Sequence, residues 1–480
     1  MKIVQVSAEL APWSKTGGLG DVCGALPKAL VKRGHRVLTV APRYKAYEDA
    51  WDTGVRARVT LFGAVHDVGY YHCLRDGVEH LFVDHVSFHR PGIYGDKSGA
   101  YGDNLFRYAL LSRAALEATF RVPLSEGAPL GEDVVFHAND WHTALVPLFL
   151  EAVYRPAGRF ESAGSVLSLH NMGHHGTQPR SEFDGLDVAP RWLPAMDFDG
   201  HLNILKTGIA LARKLVAVSP TYAREIQTGL GFGLDGLLSA RQRDLVGILN
   251  GVDDAWDPTN DVHLPAHFSA DDLTGKAVCK AALQAELGLP VRPEVPMLAL
   301  IARLDHQKGI DLVAEAMPWL MRQDVQVVML GSGAPEWQAF FRESERRNPS
   351  RVRGWVGFNE GLAHRIEAAA DIFMMPSRFE PCGLNQMYSM RYGTVPVVHA
   401  TGGLADTVET FSPAAGTGTG WAFRSFSAEA FVDALGWALL TYSRFPDAWR
   451  GLQERGMRTD FSWDRSASRY ERVYAATIRE

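Results

Sequence analysis

Short apolar runs rich in β-branched residues alternate with stretches of helical spacing through the first half of the chain. Residues 2–8 form the first run, and residues 21–34, after a glycine-rich loop, place apolar side chains at intervals of three and four. Later runs predict five more strands, at 36–41, 134–138, 165–169, 214–219 and 246–250. Because alternating strands and helices build parallel sheets covered by helices, this half is predicted to be an α/β, Rossmann-like domain.

Two stretches interrupt the alternation. Between 55 and 83, strand-like runs are joined by short turns such as Asp76-Gly77, which predicts a hairpin insertion. Residues 251–275 contain prolines, several aspartates and little periodicity. We therefore expect this second stretch to connect two domains.

The alternation restarts in the second half and predicts a second Rossmann-like domain. Its strands are predicted at 297–303, 325–330, 352–358, 371–376 and 394–400. Its helices are predicted at 309–321, 334–347, 360–369 and 383–391. The tail from Ser427 is predicted to be helical, with breaks near Pro446 and Gly456.

These patterns divide the chain into an N-terminal domain over 1–250, a C-terminal domain over 251–460 and a last helix over 461–480. The last helix carries four aromatic residues, Phe461, Trp463, Tyr470 and Tyr474. Two hypotheses are open for it: it returns to the first domain, or it packs in the core of the second.

Composition narrows the class of partner. The 480 residues include 49 Lys and Arg against 55 Asp and Glu, for a net charge of −6, with 46% hydrophobic residues. These proportions are typical of soluble globular proteins and exclude disordered and collagen-like chains. A pI near 6.3 without a long basic run offers little attraction to nucleic acid or to an anionic membrane. Small molecules or neutral polymers are the expected partners.

The four cysteines are scattered and form no Cys-x-x-Cys pair, which argues against a zinc ribbon or a disulfide framework. The apolar stretch after Lys2 is too short for a signal peptide. Elsewhere no apolar run approaches the ~18 residues of a membrane helix. We expect a cytoplasmic protein in a reducing compartment.

The glycine-rich loop between the first strand and the first helix is the first candidate site. It contains Lys15, Gly17, Gly18 and Asp21. Glycines let a ligand approach the backbone, and free N–H groups before a helix favour an anion such as a diphosphate. The spacing matches neither the dinucleotide nor the P-loop motif. A tight turn with a solvent-facing lysine is the alternative interpretation.

Three loops of the second half follow predicted strands and open helices. The first carries Arg303 and Lys308, two cations suited to the phosphates of a nucleotide diphosphate. The second carries Glu380, whose carboxylate can accept hydrogen bonds from sugar hydroxyls, and Gly383 at a helix start. The third is 401–403. Because ligands bind at the carboxyl edge of open α/β sheets, three such loops together favour a site over solvated turns.

Histidines also follow strands of the first half. His170 at a strand end suits hydrogen bonding to a sugar. The adjacent His174 and His175 raise a metal hypothesis, but no acid lies at the spacing of a His-Glu-x-x-His site. The carboxylate pair in 197–199 lies in a proline- and glycine-containing stretch and is interpreted as a loop. No metal site is predicted.

Eight segments in order resemble the family of bacterial glycogen synthases and plant starch synthases, which are retaining glycosyltransferases of the two-domain GT-B fold. The segments are KTGGLGDV (15–22), DWH (140–142), HN (170–171), AVSPTYAREI (217–226), ILNGVD (248–253), RLDHQKG (303–309), PSRFEPCGLNQMYSMRYGTVPVV (376–398) and TGGLADTV (401–408). They span nearly the whole chain. The set is highly specific, although any single segment is only suggestive.

The resemblance implies transfer of glucose from ADP-glucose to the non-reducing 4-hydroxyl of an α-1,4-glucan such as glycogen, without metal or cofactor. Arg303 and Lys308 would hold the diphosphate, Glu380 the glucosyl hydroxyls and His170 the sugar near its reacting carbon. Lys15 and Asp21 would lie on the acceptor side. The other implied substrate contacts are Gly17, Gly18, Asp140, Asn171, Asn250, Phe358, Cys382, Gly383, Leu384, Thr401, Gly402 and Gly403.

Two positions depart from the pattern of many relatives. Asn139 precedes Asp140 where relatives often have histidine, so position 139 is not a dependable site residue. Phe358 stands where relatives often have tyrosine, which keeps a ring for stacking on adenine but loses its hydroxyl. A related transferase that uses UDP-glucose or another acceptor, and a silent glucan-binding protein, are the competing hypotheses.

Overall fold

The computed structural model describes residues 1–478, and contacts between them form two compact units. The first unit contains Met1–Gly251 and the segment that begins at Ser462, and the second contains Val252–Phe461. None of the helices within 1–478 is long and apolar enough to cross a membrane.

The main sheet of the first unit has the strand order β14-β13-β9-β8-β1-β2-β5-β4-β3. The strands of this unit are β1 Lys2–Val6, β2 Arg36–Pro42, β3 Trp51–Leu61, β4 Ala64–Arg75, β5 Val78–Asp84, β6 Gly95–Asp96, β7 Gly99–Ala100, β8 Val135–Asn139, β9 Gly164–Leu169, β10 Thr177–Pro179, β11 Asp197–Phe198, β12 His201–Asn203, β13 Lys214–Ala217 and β14 Leu245–Gly247. Neighbours from β14 to β5 are parallel, whereas β4 pairs antiparallel with both β5 and β3. The predicted hairpin insertion is thereby confirmed.

Helices cover this sheet. They are α1 Gly18–Lys32, α2 Asn104–Arg121, α3 Asp140–Thr143, α4 Val146–Phe149, α5 Leu193–Met196, α6 Ile204–Leu211, α7 Pro220–Glu225, α8 Asp235–Ala240 and, from the end of the chain, α17 Trp463–Ala475. Apolar residues of α1, such as Leu26 and Leu30, share one buried cluster with Ile3 of β1 and with Trp463 and Tyr470 of α17. The helical spacing of α1 therefore serves to bury one face against the strands and the last helix.

The second unit contains a single sheet of six parallel strands, in the order β17-β16-β15-β18-β19-β20. These strands are β15 Met297–Leu304, β16 Gln326–Gly333, β17 Val352–Val356, β18 Ile372–Met375, β19 Val395–His399 and β20 Trp421–Phe423. The helices are α9 Thr274–Glu286, α10 Ile310–Leu320, α11 Pro335–Arg347, α12 Glu360–Ala369, α13 Asn385–Arg391, α14 Gly402–Thr407, α15 Ala428–Arg444 and α16 Pro446–Arg458. Strands and helices alternate as the sequence pattern predicts.

The last helix, α17, packs within the first unit. The Tyr474 hydroxyl lies 2.9 Å from His137 Nδ1 of β8. Arg33, just after α1, donates two hydrogen bonds of 2.9 Å to the carboxylate of Glu471. Gly251 lies against Trp463 so closely that an added Cβ would come within 2.7 Å of the tryptophan. Aromatic packing, a buried hydrogen bond and an ion pair hold this helix on the unit.

The predicted helix breaks near Pro446 and Gly456 are confirmed, because α15 ends at Arg444, α16 spans Pro446–Arg458 and α17 begins at Trp463. Two other features of the helices differ from the sequence predictions. Helix α2 was not predicted, since nearly all of its surface is buried, including the side chain of Arg107, and no polar face marks its period. Helix α9 begins inside the stretch interpreted as a connection, and it buries Lys276 and Lys280 on its inner face.

Candidate active site

Three loops meet at the carboxyl edge of the sheet in the second unit. Strands β15, β18 and β19 are neighbours in this sheet and run parallel. Their carboxyl ends lead into 305–309, 376–384 and 400–403 respectively. The chain crosses from β16 and β17 on one side of β15 to β18 on the other, so the loops lie where the strand order reverses. The predicted grouping of these loops is confirmed.

Lys308 and Glu380 form an ion pair at this edge. Lys308 Nζ lies 2.9 Å from Glu380 Oε1 and 2.7 Å from Oε2. The hydroxyl of Ser377 donates a third hydrogen bond, of 2.9 Å, to Oε2. The Lys308 and Glu380 side chains are only 18% and 7% exposed, so water screens the pair weakly. The family resemblance implies separate roles for these two residues, and their contact was not predicted.

Backbone packing holds the loop of Glu380 against the start of α14. The amide of Gly403 donates a 3.0 Å hydrogen bond to the carbonyl of Glu380. A Cβ on Gly402 would lie 2.0 Å from that carbonyl oxygen, and a Cβ on Gly403 would lie 1.9 Å from the carbonyl oxygen of Cys382. Both positions therefore require glycine, and the predicted residues Cys382, Gly402 and Gly403 come together with Glu380.

Three predicted residues flank this contact. Gly383 has φ of 69° in the left-handed region, which glycine adopts without strain. Leu384 is the N-cap of α13 but makes no side-chain capping hydrogen bond, and Thr401 is the N-cap of α14. Both helices are short, six or seven residues long. They place the loop but add little dipole of their own.

The loops after β15 and β18 are also tied to each other. The guanidinium of Arg378 donates hydrogen bonds of 2.9 and 2.5 Å to the two carboxylate oxygens of Asp311. Gln307 donates through Nε2 to the carbonyl of Phe379 and accepts from the amide of Arg378. Gly309 has φ of 66°, and its Cα packs against the carbonyl of Pro376. These contacts hold Lys308 opposite Glu380.

Arg303 differs from Lys308 in being loosely held. Its side chain is 60% exposed, and its guanidinium lies 3.3 Å from Asp305 Oδ2. Phe358 is 83% exposed and follows β17, which β16 separates from β15. The structure therefore places Phe358 apart from the ion pair on the sheet edge.

In the first unit, the loops after β1, β8 and β9 meet at one sheet edge in the same way, since these strands are neighbours in the order β9-β8-β1. The carboxylate of Asp140, after β8, accepts hydrogen bonds from the backbone amides of His170 (2.7 Å) and Asn171 (3.4 Å), after β9. Asp140 has φ of 54°, an uncommon left-handed conformation that Asp tolerates. The predicted residues 140, 170 and 171 thus form one cluster.

Burial shifts the pKa values in this cluster in opposite directions. Burial raises the pKa of Asp140 to about 7, against the two amide hydrogen bonds that lower it. Burial lowers the pKa of His170 to about 4, which keeps its imidazole neutral at physiological pH. His170 Nε2 lies 3.0 Å from Asn139 Oδ1, so this nitrogen carries the proton and Nδ1 is an acceptor.

Asn139 was not predicted as a dependable site residue. Its Nδ2 donates to the carbonyl of Val6, at 3.1 Å, while its Oδ1 orients His170. The side-chain amide of Asn139 therefore links β1 to His170. The sequence did not indicate this role, because position 139 departs from the family pattern. Its place at the end of β8, next to Asp140, was the available signal.

Two backbone amides of the glycine-rich loop donate to a carboxylate of the chain itself. The amides of Thr16 and Gly17 donate to Glu9 Oε2, at 2.6 and 3.2 Å. These two donors are therefore not open to a ligand, and binding of a diphosphate by the rest of the loop stays a prediction. Lys15 Nζ forms an ion pair with Asp21 Oδ1 at 2.7 Å. Gly18 is the first residue of α1.

Asn250 is buried at the end of the first unit, with no hydrogen-bond partner for its Oδ1 in the described structure.

Within residues 1–478, no group of three His, Cys, Asp or Glu side chains is placed to hold a metal ion. The Nδ1 atom of His175 lies 3.0 Å from the Asn203 amide instead.

Comparison with known proteins assigns the family. Residues 2–240 match the family model described as starch synthase catalytic domain, and residues 288–449 match that of glycosyl transferases group 1. The chain is 49% identical over 499 aligned residues to chloroplastic starch synthase 1 of Arabidopsis thaliana, an alignment that covers 98% of this chain and 76% of the relative. The chain belongs to the starch synthase family. Soluble starch synthase 1 of Solanum tuberosum is likewise 49% identical, with 98% and 78% coverage.

A solved relative extends the comparison to the fold. The catalytic domain of starch synthase IV from Arabidopsis thaliana, bound to ADP and acarbose, is 33% identical with a TM-score of 0.89, and 99% of each chain is covered. Sucrose-phosphate synthase of Thermosynechococcus elongatus shares the fold at 17% identity and a TM-score of 0.61. The chain is thus a glycosyltransferase with two Rossmann-like domains of the GT-B type. The predicted family, fold class and enzyme class are confirmed.

Proposed function

We propose that the protein transfers glucose from ADP-glucose to the 4-hydroxyl at the non-reducing end of an α-1,4-glucan, with retention of the anomeric configuration, and so elongates glycogen. Family membership supports this, because the relatives are starch synthases and one solved relative holds ADP. The observation in this chain that carries the proposal is the weakly exposed Lys308–Glu380 ion pair, in the loop region that follows the strand ending with Arg303 and Leu304.

Charge development in the reaction accounts for the two cations. When the bond between glucose and the diphosphate breaks, negative charge grows on the leaving phosphate and positive charge on the sugar ring. Fixed cations beside the phosphate stabilise that transition state more than the ground state. Arg303 and Lys308 both lie at the carboxyl end of β15. We propose that these side chains, rather than a metal ion, balance the leaving charge.

The ion pair lets Lys308 and Glu380 act together. An ammonium has three N–H groups, and Glu380 accepts from Lys308 through both oxygens, so one N–H remains for a phosphate oxygen. Lys308 then bridges the phosphate and the carboxylate. Glu380 is oriented by Lys308 and Ser377, and its remaining lone pairs can accept hydrogen bonds from glucosyl hydroxyls.

The anomeric configuration is retained if the acceptor hydroxyl attacks the same face of the sugar from which the diphosphate departs. A double displacement requires a free carboxylate as nucleophile. Glu380 is instead held by three hydrogen bonds and is proposed to bind hydroxyls. The acceptor 4-hydroxyl oxygen forms a bond to the anomeric carbon as the bond from that carbon to the phosphate oxygen breaks. The electron pair of the broken bond stays on the phosphate, which also takes the hydroxyl proton.

The first unit is proposed to bind the acceptor glucan. Asp21 holds Lys15, and Asp140 holds the backbone of His170 and Asn171, so each cluster arrives preorganised. Neutral His170 offers hydrogen bonds without a net charge. Uncharged groups suit a polymer of hydroxyls, and a neutral ring does not oppose the positive charge that develops on the sugar.

A reducing, cytoplasmic compartment is the proposed location. The support is that Cys23, Cys73, Cys279 and Cys382 are buried and form no disulfide bond within residues 1–478. Fractionation of source cells tests this: recovery with the soluble cytoplasmic fraction agrees, and recovery from an oxidising compartment contradicts it.

The proposed phosphate contacts do not determine the donor, because the diphosphate assigned to Arg303 and Lys308 is the same in ADP-glucose and UDP-glucose. Incorporation of labelled glucose into glycogen, measured in parallel with ADP-glucose and UDP-glucose, tests it. We expect higher kcat/KM with ADP-glucose. Preference for UDP-glucose would favour the related transferase, and no incorporation from either donor would favour the silent glucan-binding protein.

A further inference from the structure

An exposed tryptophan lies on helix α15 of the second unit. The inner face of this helix buries Phe431, Leu435 and Ala438, in a cluster that also contains Phe423 of β20. Trp437 lies outside that face and is 62% exposed. A helix on the surface of a folded domain normally turns charged and polar residues toward water. Packing within the unit therefore does not account for the large ring at position 437.

Trp437 belongs to a row of four exposed residues along the helix, which we call the α15 stripe. Its members are Asp433, Trp437, Leu440 and Arg444, separated by four, three and four positions. At about 100° per residue, this spacing keeps all four within an arc of about 60° on the helix surface. Leu440 is 42% exposed. The stripe thus has an apolar centre, with a negative charge at one end and a positive charge at the other.

The order of these residues is complementary to itself when a second α15 runs antiparallel. A twofold axis through the middle of the stripe, between positions 438 and 439, places Trp437 of one copy opposite Leu440 of the other. The same axis places Asp433 opposite Arg444. A contact of this kind is isologous, because both copies use the same residues. In a second copy, the stripe therefore meets an apolar surface at its centre and an opposite charge at each end.

The charges at the two ends are available for such a contact. Within residues 1–478, the side chains of Asp433 and Arg444 form no ion pair with each other or with another residue. An ion pair at the rim of an interface adds little affinity, but it fixes the orientation of the partners. In a parallel arrangement about a twofold axis, Asp433 would instead face Asp433 of the other copy, and repulsion between like charges would oppose it.

A glucan chain is the other class of partner that an exposed tryptophan can bind. Sugar hydroxyls require polar groups beside the aromatic ring. The exposed residues that follow Trp437 are apolar at Leu440 and at Phe445, the C-cap residue of α15. Adjacent exposed apolar side chains are typical of protein contacts. The stripe therefore favours a protein partner that presents an apolar surface of its own.

We propose that the α15 stripe is the contact between two copies of this chain, which pack antiparallel about a twofold axis. The inference does not depend on the proposed function, because no residue of the stripe takes part in the mechanism above. One pair of helices buries less than the roughly 1,200–2,000 Å² of a stable interface. We therefore expect a reversible dimer with a dissociation constant on the order of micromolar.

Sedimentation equilibrium of the full chain, over concentrations that span this range, measures the association. Wild type should form dimers. Trp437→Ala should raise the dissociation constant at least about 30-fold, as truncation of a central interface tryptophan does.

Charge exchange tests the antiparallel pairing directly. Asp433→Arg should weaken the dimer, because it places two positive charges opposite each other at both ends of the contact. The double variant Asp433→Arg with Arg444→Asp reverses each pair and should restore the dissociation constant of wild type. Since the double variant has the composition and net charge of wild type, restoration separates the contact from an effect of overall charge.

The matched control is Trp355→Ala. Trp355 of β17 lies in the same unit and is 47% exposed, so its truncation removes a comparable exposed ring away from the stripe. It should leave the dissociation constant unchanged. Circular dichroism and thermal unfolding establish that each variant is folded.

Three results overturn the inference. The first is wild type that stays monomeric at every concentration, and the second is a dimer that neither Trp437→Ala nor Asp433→Arg weakens. The third is a double charge variant that stays as weak as Asp433→Arg. Retention of monomeric wild type on immobilised glycogen, abolished by Trp437→Ala, would assign the stripe to glucan binding and would likewise contradict the dimer.

Discussion

The ammonium of Lys308 lies 2.9 and 2.7 Å from the two carboxylate oxygens of Glu380, across two neighbouring strand ends of the second unit. Lys308→Ala removes a preorganised cation and leaves the buried carboxylate without its counter-ion. By analogy with loss of one oxyanion donor, we expect kcat to fall about 10²–10³-fold. Steady-state kinetics with saturating glucan measures this. A folded variant with unchanged kcat would refute the assignment of Lys308.

Arg303 should contribute to turnover without contributing to stability. Its side chain is largely exposed, with contacts of 3.3 Å to Asp305 Oδ2 and 3.5 Å to Gln307 Oε1. Arg303→Ala is expected to shift the free energy of unfolding by less than about 0.5 kcal/mol, as surface changes do, while kcat/KM for ADP-glucose falls markedly. Arg346→Ala, at an exposed arginine of α11 in the same unit, is the control and should change neither quantity. Equal kinetics for both variants would contradict the prediction.

Gly403→Ala tests the contact that holds the loop of Glu380. The new methyl group would lie 1.9 Å from the carbonyl oxygen of Cys382, so the loop must move. We expect a loss of about 1–3 kcal/mol in stability, as in overpacked cores, together with reduced turnover. The comparison is Gly436→Ala in α15, whose Cβ would meet Trp319 at an ordinary 3.8 Å. Thermal unfolding and kinetics of the two variants should differ; similar behaviour would argue against close packing at Gly403.

Asp140 should make stability depend on pH. Burial raises its pKa to about 7 in the folded chain, above the unfolded value near 3.8, so the folded state binds this proton more tightly. Its contribution is most favourable below pH ~4 and is lost as pH rises toward 7, with a slope of at most about 1.4 kcal/mol per pH unit.

Asp140→Asn tests this dependence, because asparagine tolerates the left-handed backbone and keeps an acceptor for the His170 amide. Urea unfolding from pH 5 to 8 should show the variant gaining stability relative to wild type as pH rises. Parallel pH profiles would show that Asp140 does not titrate in this range.

Truncation before Ser462 should unfold or loosen the first unit. The deletion removes Trp463, Tyr470 and Tyr474 from its buried cluster and leaves His137 without the Tyr474 hydroxyl. Limited proteolysis should then cut within 1–251 faster than in the full chain. Tyr474→Phe, which removes only the hydroxyl, should cost about 1–3 kcal/mol. Unaltered proteolysis of the truncated chain would mean that the last helix does not support this unit.

The sequence predicts the strand ends well because apolar runs mark the strands, and parallel strands bring their carboxyl ends to one edge. This logic located Arg303, Lys308 and Glu380. It did not predict their pairing, because β15 neighbours β18 through a crossover that periodicity does not reveal. Helix α2 was not predicted because it is buried on nearly all sides and therefore lacks a polar face.

Glu9 and Asn139 were missed because each acts through neighbours that only folding supplies. Glu9 lies in an irregular loop, and its partners Thr16, Gly17 and Tyr94 are seven to 85 positions away. Two of the backbone amides that the glycine-rich motif offers to a ligand donate to this carboxylate of the chain itself. A motif indicates that backbone amides need an acceptor, but it does not say which group provides one.

The most direct test of the account follows the stereochemistry of the new bond. Proton NMR of a maltooligosaccharide mixed with ADP-glucose and enzyme reports the anomeric configuration of each added glucose. We predict growth of α-1,4-linked residues at the non-reducing end, with release of ADP. Formation of a β-linkage, or consumption of ADP-glucose without chain growth, would contradict it.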